Sequence, residues 1–137
     1  MTEGASLPAR GVGPFRMSAA YCGHGHVLKI AYRAVTERDF MDALMRDLFP
    51  VLRWEVVHFR PARTKHGWRT PVQGTMGKGW PDLILARPPR LIAAELKSDK
   101  GKTDPEQDRV LALLDACGLE VYVWRPRDLM EIADILR

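Results

Sequence analysis

A chain of 137 residues with a formal net charge of +4 and a sequence pI near 9.3 has the length of one domain with its own core. No apolar run approaches the roughly 20 residues of a membrane span, and the N-terminus carries no signal-peptide h-region. Cys22 and Cys117 are the only cysteines and have no framework spacing, which argues against a disulfide scaffold and for reduced thiols in a cytoplasmic setting.

Residues 1–35 contain Gly, Ala and Pro with weak periodicity and read as a flexible arm, with a short strand near Val27–Tyr32. Cys22, His24 and His26 supply only three candidate zinc ligands with no second pair, so a loop is the better reading. Thr36-Glu37-Arg38-Asp39 has the form of a helix start, with Thr36 as N-cap and an acidic first turn. Phe40, Met41, Leu44, Met45 and Leu48 follow at helical spacing as the buried stripe, and Pro50 ends it. Glu37, three residues before Phe40, shares the inward face. It is either an ordinary first-turn acid or a side chain directed at the site described below.

Trp54–Phe59 reads as a strand. A long loop follows. From Val56 to Pro81 there is no acidic residue, while Arg60, Arg63, Lys65, Arg69 and Lys78 all fall there. A basic loop of this kind suits a polyanionic partner. Next come two short apolar runs, Leu83-Ile84-Leu85-Ala86 and Leu91-Ile92-Ala93-Ala94-Glu95-Leu96-Lys97, joined through Arg87-Pro88-Pro89-Arg90. Proline cannot continue a ladder, so the turn centres on Pro88-Pro89. Folding about that centre pairs Ala86 with Leu91 and brings Asp82 opposite Glu95.

Directly opposed residues share a face, with Cβ atoms about 4.5–5.5 Å apart. Lys97, two beyond Glu95, shares it too. Two facing carboxylates repel, and a hard divalent cation with oxygen ligands offsets that. A lysine beside them can stabilise developing phosphorane charge or help orient a water. Metal-assisted phosphodiester hydrolysis needs this constellation. The competing reading is a solvated surface hairpin. The apolar run before Glu95 argues against it, because it marks a central, buried strand.

Beyond a polar turn at Ser98–Lys102, Thr103 or Asp104 caps a second helix with Pro105 in its first turn. Its expected stripe is Val110, Leu111, Leu113, Leu114 and Cys117, with Cys117 a small core residue and Gly118 the stop. Gln107 is expected to project toward the sheet near Lys97. Val121–Trp124 is a further strand, parallel to the Glu95 strand through a right-handed crossover. Trp124 is expected in the core rather than stacked on a base. Arg125–Asp128 caps a last helix bearing Leu129, Ile132, Ala133 and Leu136. The order α-β-β-β-α-β-α gives an α/β fold with a central mixed β-sheet flanked by helices.

Six elements in this order resemble the PD-(D/E)xK nuclease superfamily, and most closely its virus-type replication-repair nuclease (VRR-NUC) branch. They are Thr36-Glu37, His58-Phe59-Arg60, Gly79-Trp80-Pro81-Asp82, Ala94-Glu95-Leu96-Lys97, Gln107 and Val123-Trp124-Arg125-Pro126. The resemblance covers residues 36–137 and leaves residues 1–35 outside. It implies a restriction-endonuclease-like core. It further implies that Asp82, Glu95 and the Leu96 carbonyl bind Mg²⁺ or Mn²⁺ and that Lys97 is the catalytic lysine. Glu37 would be the helix-borne acid, and Gln107 would organise the site or contact the phosphate backbone.

Members of that branch act in phages and DNA repair, often on branched or flapped DNA. Small stand-alone versions resemble Holliday-junction resolvases and form dimers. The expectation is therefore a Mg- or Mn-dependent endonuclease on branched DNA, acting as a homodimer. Arg60, Arg63, Lys65, Arg69, Lys78, Lys100 and Lys102 would be its nucleic-acid contacts. Two other readings compete: a non-catalytic or partner-dependent nucleic-acid-binding module, and a restriction-type endonuclease. The first predicts loss of a site residue, and the second needs recognition elements for which a domain of this size has little room.

Overall fold

The computed structural model describes residues 36–137. The expected strand at Val27–Tyr32 and the Cys22, His24 and His26 loop lie outside the described residues. The described chain is mixed α/β. A four-stranded sheet has the order β1 (Glu55–His58), β4 (Leu83–Arg87), β5 (Arg90–Leu96) and β6 (Glu120–Trp124). Neighbours are antiparallel except β5 and β6, which run parallel as the crossover predicts. A second, two-stranded sheet pairs β2 (Ala62–Thr64) with β3 (Gly67–Arg69). The sequence reads this segment as plain loop. Its strands are too short and too polar to show an alternating pattern, so the loop reading is corrected here to a hairpin.

Period-two alternation gives the sheet two faces. Leu83, Leu85, Ile92, Ala94, Leu96 and Trp124 point to one. There they meet Phe40, Leu44 and Leu48 from the first helix and Leu129, Ile132 and Leu136 from α3 (Leu129–Leu136) in the main core. Trp124 is thus a core residue, 2% exposed. Ala93 points to the other face and packs with Val110 and Leu114 of α2 (Pro105–Ala116), flanked by Met76, Trp80 and Ile84.

The helices begin as their caps dictate. Thr36 and Asp39 form a reciprocal capping box at α1 (Glu37–Ala43), satisfying two otherwise orphan N–H groups. The helix does not run regularly to Pro50. It passes into a π turn over Leu44–Leu48, where the backbone closes on the fifth residue back. This leaves Met45 only partly buried while Phe40, Met41, Leu44 and Leu48 stay in the core. Helix α2 is capped by Asp104, with Pro105 at its first position. Its stripe is narrower than the sequence suggests. Val110, Leu111 and Leu114 are buried, but Leu113 and Cys117 are exposed. Cys117 is the C-cap, so the chain has already turned away from the sheet there, and the expectation of a core thiol is corrected. Gly118 at φ +92° supplies the left-handed turn that stops the helix.

The hairpin of β4 and β5 has the register expected from its prolines: Ala86 faces Leu91, and Arg87 faces Arg90 across Pro88-Pro89. At this closed end both arginines lie over the Trp54 ring, at 4.5 and 5.2 Å from its centroid. Arg87 donates to the carbonyls of Leu52 and Arg137 at 2.8 and 2.9 Å. Arg90 donates to the Ile135 carbonyl at 2.7 Å and grips Glu120 through both carboxylate oxygens at 2.7 and 2.6 Å.

Candidate active site

The open end of the same hairpin carries the ionisable groups. One step past Leu83 opposite Ala94, the ladder brings Asp82 level with Glu95. Pro81 is buried and, one step further, is level with Leu96. A proline has no N–H, so the Leu96 carbonyl finds no amide donor there. The Leu96 N–H is bound separately, by the Asp82 side chain, whose Oδ2 accepts it at 2.8 Å. The Asp82 carbonyl turns the other way and accepts the Phe59 N–H at 2.9 Å, extending the β1–β4 ladder. In extended backbone a residue's C=O points to the same side as its N–H, so the Leu96 carbonyl is directed toward the Asp82 side with no amide opposite it.

Glu95 is 2% exposed and is the one buried charged residue among those described. Such a group needs partners. Lys97 Nζ donates to its Oε1 at 2.5 Å, and Gln107 Nε2 donates to the same oxygen at 2.7 Å. Burial pushes the Glu95 carboxyl up to about 7, the Asp82 charge adds to that, and Lys97 opposes it. Burial would lower the Lys97 ammonium, but its bond to Glu95 and the negative charges of Glu95, Glu37 and Asp82 outweigh it and hold the group above its ordinary value.

Gln107 is itself held. Its Oε1 accepts the Asp104 N–H at 3.0 Å, and its own N–H is capped by Asp104 Oδ1 at 2.9 Å. The side chain that completes the helix cap is thus the one that steadies Glu95. Helix α2 also seats the approach to Asp82. Arg109 donates to the Thr75 carbonyl at 2.7 Å. The turn Gly77–Gly79 lies so close that a Cβ on Gly79 would collide with the Glu106 carbonyl oxygen.

Glu37 joins the cluster electrostatically. Partial burial raises its carboxyl, Lys97 lowers it and Asp82 raises it. Its side chain is nonetheless exposed, so it stands at the rim and not on the inward face expected from its spacing to Phe40. The first turn of a helix directs side chains back past the N-terminus, and that carries Glu37 past the core to the sheet end.

Asp82, Glu95, Lys97, Gln107 and Glu37 are therefore gathered at one end of the sheet. The seven basic candidates, Arg60, Arg63, Lys65, Arg69, Lys78, Lys100 and Lys102, are all exposed. Arg63 and Arg69 lie on the β2–β3 hairpin with Lys65 in its turn, Lys78 lies in the turn before Asp82, and Lys100 and Lys102 follow Lys97.

No protein-family model matches the chain, and no curated protein is recognisably similar to it.

One neighbour was not evident from the sequence as part of this cluster. His58, half-buried at the end of β1, feels the charge of Asp82. Burial nevertheless holds its imidazole below the ordinary value, so it is neutral at neutral pH. Its place in His58-Phe59-Arg60, one of the six elements of the resemblance, is the sequence signal that points to it. Among the described residues, no group of three or more His, Cys, Asp or Glu side chains is placed to hold a metal ion. The donor set on offer is smaller: two carboxylates and a main-chain carbonyl. That is the oxygen-rich, incomplete shell that suits Mg²⁺, which keeps several waters. The raised Glu95 carboxyl, with its Oε2 receiving neither Lys97 nor Gln107, fits the same group.

Proposed function

We propose that the protein is a metal-dependent endodeoxyribonuclease of the PD-(D/E)xK type, acting on branched DNA in phage-type replication, recombination or repair. The observation that carries the reading is the convergence of Asp82, Glu95 and Lys97 on one end of the sheet, with Lys97 and Gln107 on the same Glu95 oxygen.

Asp82, Glu95 and the Leu96 carbonyl would hold Mg²⁺ or Mn²⁺, which supplies Lewis-acid polarisation of a phosphate oxygen and lowers the pKa of a bound water. Lys97 sits where its ammonium can meet charge developing on the scissile phosphate, and its raised pKa keeps it charged at neutral pH. Gln107 fixes the Glu95 carboxylate against rotation. Glu37 at the rim is placed to accept a hydrogen bond from an approaching water. The exposed basic residues hold phosphates, which positions DNA but carries no sequence code. Cleavage of this kind leaves a 5′-phosphate, and two sites in a homodimer would serve a symmetric junction.

One observation favours a second reading. The Lys97 ammonium already gives Glu95 a cation, as a binding module without metal chemistry would require. The test is cleavage of a labelled four-way junction, a flap and a matched linear duplex in Mg²⁺, Mn²⁺ and EDTA, with Asp82→Asn beside the wild type. Metal-dependent cutting lost in the variant supports the nuclease. Tight binding without cutting of any substrate supports the module.

A further inference from the structure

The β2–β3 hairpin carries a feature that phosphate binding leaves unused. Trp68 is 71% exposed, the most exposed large hydrophobic side chain described. A tryptophan on a three-residue strand gains nothing from folding when it is left in water. Its partner across the ladder is Arg63. Opposed residues point to one face with Cβ atoms about 4.5–5.5 Å apart, so the two side chains leave the hairpin from the same face.

The remaining hairpin residues set these two up. Thr64 Oγ1 donates to the Gly67 carbonyl at 2.8 Å and accepts the His66 N–H at 3.2 Å, closing a turn that carries Lys65 at its tip. Gly67 at φ +101° takes a backbone conformation that a side chain would strain. Every residue from Pro61 to Arg69 is exposed, and none is acidic.

The hairpin is rooted beside the site. Phe59, whose N–H binds the Asp82 carbonyl, precedes the first hairpin strand by three residues. Four extended residues to Arg63 and one ladder step to Trp68 put the Trp68 Cα at most about 20 Å from the Phe59 Cα, roughly six base steps of duplex.

We propose that Trp68 and Arg63 form a stacking platform for an unpaired base of single-stranded or branched DNA, next to the strand held at Asp82 and Glu95. This rests on the nuclease reading for its substrate class. An indole face stacks on any base, a guanidinium rooted beside it can stack on the same base, and the basic hairpin attracts the flanking phosphates. Paired bases are already stacked on their neighbours and present only edges in the grooves. The platform therefore distinguishes DNA with unpaired bases from continuous duplex.

The test uses the full chain in EDTA, so that binding is read without cleavage. Affinity is measured by fluorescence anisotropy for an oligothymidylate and for a matched linear duplex, in wild type, Trp68→Ala and Trp68→Phe. Trp68→Ala is expected to weaken oligothymidylate binding by about 5- to 150-fold, the range of one base–aromatic stack, while duplex affinity changes less than about twofold. Trp68→Phe should recover most of the loss. Equal weakening on both DNAs, or no weakening on either, overturns the platform. So does a change in oligomeric state without a change in DNA affinity, which would make Trp68 a protein contact. The two readings fail separately. Loss of metal-dependent cutting in Asp82→Asn with no effect of Trp68→Ala keeps the nuclease and removes the platform. Selective Trp68-dependent binding with no cutting by wild type keeps the platform and removes the nuclease.

Discussion

The carboxylate of Asp82 accepts the main-chain N–H of Leu96 at 2.8 Å, tying the two strands together beyond their last ladder pair, Leu83 with Ala94. One side chain thus closes the hairpin and faces Glu95. The two roles separate by substitution. Asn keeps an acceptor oxygen, so Asp82→Asn should melt within about 1 kcal/mol of wild type, whereas Asp82→Ala leaves a buried N–H unmet at about 1–3 kcal/mol. Both should lower cleavage by at least about 10²–10³-fold, the scale of losing one electrostatic element of a site. Thermal melts and the junction assay check the pair, and an Asn variant as unstable as the Ala one would break this account of Asp82.

The same cleavage loss is expected for Glu95→Gln and Lys97→Ala, with folding and DNA binding largely intact. Lys97→Ala cutting at the wild-type rate would show that the catalytic lysine is misassigned.

The buried Glu95 makes stability depend on pH in the absence of metal. Its carboxyl is pushed from the ordinary 4.5 to about 7 by burial and by Asp82, so between those values the native state keeps a proton that the unfolded chain has released. Stability then falls as pH rises through this window and levels off above it. Lys97 acts only at far higher pH: its raised ammonium keeps its full contribution below 10.5 and loses it as pH climbs through the folded value. Melts in EDTA should give a lower midpoint at pH 8 than at pH 5, and Glu95→Gln should flatten the difference. Mg²⁺ should raise the midpoint more at pH 8 than at pH 5, because only the ionised carboxylate is a good ligand.

Gly79 has no room for a side chain, since a Cβ would collide with the Glu106 carbonyl and stand 2.8 Å from Val110 Cγ2. The nearest atoms are helix backbone and cannot swing aside. Gly79→Ala should therefore cost about 1–3 kcal/mol or more by forcing the turn off α2. It should also weaken cleavage, because that turn leads directly to Asp82. A variant with wild-type melting would mean that the turn can lift without cost.

Arg63→Ala and Lys65→Ala should weaken DNA binding without touching the melting midpoint, since both side chains are exposed. For each phosphate that the variant no longer neutralises, the slope of log affinity against log salt should flatten by about 0.9 on duplex. Equal slopes in wild type and variants would show that these two side chains do not engage phosphates.

Much of this arrangement could be read from residue order. Pro88-Pro89 fixed the hairpin register, and register fixed which side chains meet, so Asp82, Glu95 and Lys97 followed from counting. Asp104-Pro105 located α2, and helical spacing turned Gln107 to the sheet. What sequence order did not carry was tertiary. The π turn at Leu44–Leu48 keeps the apolar composition of a regular helix while rotating Met45 toward the rim. Cys117 has the spacing of a core residue but falls where the helix has already left the sheet. The β2–β3 hairpin has neither alternation nor apolar content, and only pairing reveals it. Glu37 required the direction of the helix as well as its face.

The two ends of the central hairpin are built to opposite specifications. At Arg87 and Arg90 both guanidiniums are tied, to Trp54, Glu120 and the carbonyls of Leu52, Ile135 and Arg137. At Asp82 and Glu95 like charges are held face to face and one carboxylate oxygen is left uncovered by Lys97 and Gln107. Each end is thus held by bonds of its own, so the register between Asp82 and Glu95 is set twice over: once by the clamped turn and once by the Leu96 N–H, Lys97 and Gln107 at the strand ends.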